Sequence, residues 1–121
     1  VDVIKIVVSD NTFSNSNIEN CILKTDEEIT KFARKVGITK GKTVRLTNVV
    51  NNKKKEAEQL IAREESTKSE AIISLLVNSE FKGFLFFESV DESTFSVDQS
   101  TDYLEFFAQV ISKHLESLLY K

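Results

Sequence analysis

The sequence predicts an α+β domain: one mixed or antiparallel sheet with helices on both faces. Three observations carry this. Residues 71–77 and 83–90 are apolar on both faces, with Phe84 and Phe86 alternating against Leu85 and Phe87, as in central strands covered on each side. The short turn Asn78-Ser79-Glu80 joins the two runs as a hairpin, so they pair antiparallel. A long C-terminal segment then places Leu104, Phe107, Ala108, Ile111, Leu115, Leu118 and Leu119 at helical spacing, a stripe suited to covering the sheet.

The remaining elements follow in chain order. Residues 1–8 are β-branched and extended, with Ile4, Ile6 and Val8 on one face. A turn-rich stretch around Asp10-Asn11 leads to residues 16–23, expected to return as a second strand with Ile18 and Ile22 inward, the pair forming a hairpin with a long loop. Thr25-Asp26-Glu27-Glu28 is a capping box: the threonine hydroxyl accepts from the backbone N–H of Glu28, whose carboxylate reaches back. Ile29, Phe32, Ala33 and Val36 follow at helical spacing, and Gly37 stands where a C-terminal cap belongs.

Gly41-Lys42 reads as a turn, and Val44, Leu46 and Val49 as a short strand. Asn51-Asn52 opens a polar helix to about Glu65, whose stripe is only Ala57, Leu60 and Ile61. So weak a stripe packs lightly and is expected to exchange its amides fastest when no ligand is bound. Residues 91–94 form a loop, and Phe95-Ser96-Val97-Asp98-Gln99 opens the last helix, with Ser96 and Gln99 spaced as a capping box. The order is β-β-α-β-α-β-β-α.

Composition narrows the function. The 121 residues suffice for one domain and its core. The 16 basic and 19 acidic residues intersperse to a net charge of −3, which favours neither nucleic acid nor an anionic membrane surface. The single cysteine, Cys21, makes no intramolecular disulfide and no thiolate cluster, which points to a reducing, cytoplasmic compartment. No apolar run approaches the ~20 residues of a membrane-spanning helix. The chain opens on Val1 inside a strand and contains no methionine, so it is read as a piece of a longer protein.

No constellation for catalysis or metal binding stands out. Glu64-Glu65 and Asp91-Glu92 are adjacent acids that face apart, without a base to partner them. Lys53-Lys54-Lys55 runs into Glu56 and Glu58, a helix-surface pattern rather than a nucleic-acid patch. The three glycines fall at element boundaries, so there is no phosphate-cradling loop. Cys21 reads as a small buried hydrophobe, and His114, the only histidine, as a solvated residue near the end of the last helix. Ser74 is the polar side chain inside an apolar strand, which requires a hydrogen-bond partner. It is a candidate pocket group together with Arg45, Asn48 and Glu88, polar residues near strands that are expected to line the same cavity. No catalytic residue, metal or cofactor is expected.

An ordered set of short motifs resembles a GAF domain, most nearly those of bacterial diguanylate cyclases and sensor histidine kinases. Ser16-Asn17-Ile18-Glu19-Asn20-Cys21 is similar to a second-strand motif S-N-T-x-E-W-C. Gly41-Lys42-Thr43-Val44-Arg45-Leu46-Thr47-Asn48-Val49 is similar to G-x-x-x-x-I-x-D-V, and Lys68-Ser69 followed by residues 71–77 to K-S-x-x-x-V-P-L. Residues 83–90 resemble G-x-L-G-F-D-x-V, and Phe95-Ser96-Val97-Asp98 resembles F-S-x-x-D at the entry to the last helix. The chain departs from this pattern in lacking the family's first helix, the proline after the fourth strand, the glycine before Lys68-Ser69 and the tryptophan before Cys21.

The resemblance implies a central antiparallel sheet of GAF/PAS type with about five to six strands. It also implies a regulatory role: sensing a small molecule, with an effector domain in the same chain, and homodimerising through the C-terminal helix, for which Ile111, Leu115 and Leu118 are the candidates. Cyclic-nucleotide GAF domains carry an N-K-x(n)-F-x3-D-E motif. Asn52-Lys53, Phe87 and Asp91-Glu92 match its form, but lie at other places in the fold. The alternative is a ligand-free dimerisation module that relays a signal through its last helix.

Overall fold

The computed structural model describes residues 3–13, 21–48, 60–61, 65–95 and 101–119, the side chains of Asn48, Leu118 and Leu119 excepted. Five strands, β1 (Val3–Ser9), β2 (Ile22–Lys24), β3 (Val44–Asn48), β4 (Ser69–Val77) and β5 (Glu80–Ser89), form one sheet in the order β2-β1-β5-β4-β3. Helix α1 (Asp26–Val36) covers one face and α2 (Asp102–Leu119) the other. This is a mixed-sheet α+β fold, compatible with GAF/PAS-like topology.

The alternation in β4 and β5 builds two cores. Ile72, Phe84 and Phe86 meet Val7 of β1 and Ile29, Phe32, Ala33 and Val36 of α1. Phe84 is fully buried and packs edge-on against Phe32, Phe81 and Phe86, with ring centroids 5.2–5.9 Å apart. On the other face Ala71, Ile73, Leu75, Val77, Leu85 and Phe87 meet Val8, Phe13, Phe95 and the α2 residues Leu104, Ala108 and Leu115. The β4–β5 turn places Asn78 and Ser79 at φ 52° and 67°, the left-handed pair a two-residue hairpin turn requires.

Helix α1 forms as its caps dictate. The Glu28 N–H donates to Thr25 Oγ1 (3.1 Å) and the Thr25 N–H to Glu28 Oε1 (3.3 Å). At the other end Gly37 turns left-handed (φ 76°), and the Ile38 N–H reaches the Ala33 carbonyl (2.9 Å), closing a Schellman motif.

Three expectations are corrected. β1 and β2 pair parallel, not as a hairpin, and β2 is confined to Ile22–Lys24, with Val7, Val8 and Ser9 opposite Ile22, Leu23 and Lys24. The connection from Ser9 to Ile22 has about the dozen residues that a parallel crossover needs, so its length does not distinguish the two pairings. Ile18 lies outside the described residues. Secondly, α2 begins at Asp102; Phe95 sits in a turn, fully buried and stacked on Phe87 (6.2 Å, 14° between planes). Ser96 and Gln99 lie outside the described residues. Thirdly, Phe107 is on the margin of the buried stripe, 42% exposed, touching the sheet edge-on at Phe87 (5.4 Å). The expected helix from Asn51 falls largely outside the described residues, but Leu60 and Ile61 occupy a bend and pack on the α1-side core.

The end of β1 is tied to the start of α1. The Ser9 hydroxyl donates to Asp26, Asn11 Nδ2 donates to the same carboxylate (3.1 Å), and the Asn11 N–H donates to Ser9 Oγ (3.1 Å). The Ser9 bond, then that of Asn11, holds the Asp26 carboxyl below its ordinary pKa against the opposing effect of burial. A carboxylate in the first turn also suits the helix dipole. The stability Asp26 contributes is therefore present above the usual carboxylate range and is lost as pH falls through the lowered folded value. Asp26→Asn is expected to cost about 1 kcal/mol at neutral pH. In urea unfolding, its gap to the unsubstituted chain closes in strong acid; a gap independent of pH contradicts the assignment.

Candidate functional site

The sheet positions two polar features on opposite faces. The first is a groove of about 450 Å³ between β4 and α2. Thr43, Ser74, Ser79, Glu105, Gln109, Ser112, Lys113 and Glu116 line it, over an apolar floor that includes Ile73 and Ala108. The Asn78 N–H donates to Glu116 Oε1 (2.7 Å), clamping the β4–β5 turn to the helix, and the β4–β5 register shifts between Leu75 and Leu76 beside it. Such a lining can orient a small polar molecule through hydrogen bonds. Among the described residues its lining includes no cysteine or histidine.

The second feature is enclosed. On the α1 face, Glu88 is 1% exposed, faces Lys5 Nζ at 2.9 Å and accepts from the Thr67 hydroxyl at 2.7 Å. Glu70, also buried, stands directly opposite it on β4, with buried Thr47 next across on β3. Like charges directly opposed across a sheet are unfavourable, so the Lys5 ammonium has an evident role in holding this layer. Arg45 closes the row: its Nε donates to Thr47 Oγ1 (3.3 Å) and its Nη1 to the Val36 carbonyl (2.8 Å) at the C-terminus of α1, where a cation is favoured.

The four candidate pocket residues are therefore not brought together. Ser74 lines the groove at the edge of β4, its register with Phe84 putting its side chain on the α1 side; Arg45 and Glu88 belong to the enclosed layer further along that side; the Asn48 side chain lies outside the described residues. The candidate dimer residues are also placed differently. Leu115 is 2% exposed and Ile111 half-buried, both packed into the domain's own core, because the heptad stripe and the sheet-covering stripe coincide on α2. The Leu118 side chain is outside the described residues. Cys21 is half-buried beside the α2-side core, and burial pushes its thiol pKa up, away from the reactive thiolate. His114 is exposed on α2. Among the described residues no cluster of three or more His, Cys, Asp or Glu side chains is placed to hold a metal ion, and no helix is long and apolar enough to cross a membrane.

Sequence reasoning missed Lys5, Thr67 and Glu70. The available signal was alternation: Lys5 shares a face with Val7, and Glu70 with Ile72, so each points into a sheet covered on both sides.

Fold and site together define a small α+β domain with a helix on each sheet face and an open groove of mixed polar and apolar lining beside its last helix. The chain belongs to the family described as "Protein of unknown function, DUF484", whose profile matches residues 23–119, from β2 through α2. No GAF family profile matches. No curated protein and no solved structure matches the chain.

Proposed function

We propose that this chain is a regulatory, small-molecule-sensing domain of GAF type, working in the cytoplasm within a signal-transduction protein of the cyclase or histidine-kinase kind, and that it is not itself an enzyme. The observation that carries this is the groove of about 450 Å³ shared by a central strand and the C-terminal helix. A molecule seated there touches both β4 and α2. If it binds one arrangement of that helix against the sheet better than another, it shifts the population and passes the signal to an effector domain in the same chain. The ordered GAF-like motifs and the compatible strand order support the same reading.

Hydrogen exchange tests it. Protein purified gently from cells is compared with the same protein unfolded, dialysed and refolded to strip bound molecules. Slower exchange before stripping, confined to β4 and α2, is the expected result; identical profiles count against a sensed ligand.

A second reading is a ligand-free dimerisation module that relays signal through α2. The observation that favours it is the exposure of Tyr103, Phe106, Phe107 and Val110 on that helix.

A further inference from the structure

We propose that the outward face of α2 seats a second copy of this chain, packed antiparallel about a two-fold axis that passes between Phe106 and Phe107. This names the partner and the pairing for the dimerisation reading and rests on it. Tyr103 is 54% exposed, Phe106 67%, Phe107 42% and Val110 51%. They recur at i, i+3, i+4 and i+7, one face of a helix, turned away from the stripe that Leu104, Ala108 and Leu115 bury. The patch runs onto β1: Ile4, 50% exposed, is in register with Phe87, against which Phe107 packs. Single exposed apolar residues are ordinary, whereas a contiguous aromatic patch marks an interface.

Two features select a second copy. The spacing Tyr103–Phe106–Phe107–Val110 reads the same in both directions. Half a turn about its midpoint sets Phe106 on the partner's Phe107 and Tyr103 on the partner's Val110, the reciprocal contact of an isologous interface. Charge agrees. Exposed Asp102 and Glu105 lie at the start of the helix, and exposed Lys113 beyond the patch. An antiparallel pair brings each acidic end towards a basic one, and a parallel pair sets acid on acid. Glu116, at the basic end, is engaged with the Asn78 N–H of its own chain.

Sedimentation of the 121-residue chain tests this. The expected result is a species of twice 13.7 kDa. Phe106→Asp, at an exposed position whose folding is checked by circular dichroism, is expected to weaken the dimer by roughly 30-fold or more, as loss of an interface anchor does. Asp102→Lys weakens it too, and adding Lys113→Glu restores it. A monomer at every concentration overturns both the inference and the dimerisation reading. A dimer indifferent to Phe106→Asp leaves dimerisation standing but overturns this face, and charge exchange without restoration overturns the antiparallel pairing.

Discussion

Gly83→Ala is expected to destabilise the chain by more than about 4 kcal/mol, in the range reserved for structural disruption. Gly83 pairs with Val8 between β1 and β5, two central strands. A Cβ added there lies 2.0 Å from the Val7 carbonyl oxygen and 3.0 Å from the Val8 Cα. Both are backbone atoms, so relief requires the strands to part, which strips ladder hydrogen bonds from the sheet and opens the packing of Val7 and Val8 on both faces. Gly37 is the internal control. Its added Cβ meets open space and the cost is only that of the left-handed φ of 76°, roughly 1–2 kcal/mol. Denaturant unfolding of the two variants separates them; a Gly83→Ala protein as stable as Gly37→Ala contradicts the β1–β5 register.

Lys5→Met is expected to cost roughly 3–5 kcal/mol, the cost of breaking a buried ion pair from one side. It removes an ammonium 2.9 Å from a carboxylate that is 1% exposed and stands opposite a second buried glutamate. Methionine keeps the length and apolar stem of lysine, so the loss reports charge rather than volume. Replacing Glu88 with methionine in the same chain is expected to recover most of that loss, since well-packed apolar pairs substitute for buried ion pairs at little cost. The double-mutant cycle gives the coupling directly. Equal, additive losses would mean that Lys5 contributes packing alone.

Much of the fold was legible because it is written in local patterns. The capping box at Thr25 and the glycine at position 37 bound α1 at both ends, and the double alternation of β4 and β5 reports a sheet covered on both faces. The parallel pairing of β2 was not legible, because a connection of that length serves either direction. Lys5 and Glu70 escaped for a related reason. Lys5 lies on the face of β1 opposite Ile4, Ile6 and Val8, which is buried only because both sheet faces are covered, and Glu70 flanks an apolar run, its inward orientation following once Ser69 is known to be in a strand. The candidate site did not assemble because, although alternation puts Ser74, Arg45 and Glu88 on the same side of the sheet, Arg45 and Glu88 are drawn into the enclosed layer while Ser74 stands at the groove edge of β4. Arg45 and Glu88 find their partners on α1 and β1, contacts that no local pattern encodes. On α2, residues 103–111 are apolar around most of the helix. Periodicity identified the stripe facing the sheet, and only the packing shows that Tyr103, Phe106 and Val110 form a second face.

Native mass spectrometry of the gently purified chain, beside its Ser112→Trp variant, tests the sensing role most directly. Ser112 lies half-buried in the groove wall, and an indole there occupies the groove from the helix side. The account predicts a discrete added mass on the unsubstituted chain that is lost in the variant while the fold persists. A folded chain that carries no added mass, or one whose added mass is unchanged by Ser112→Trp, contradicts a ligand sensed in this groove.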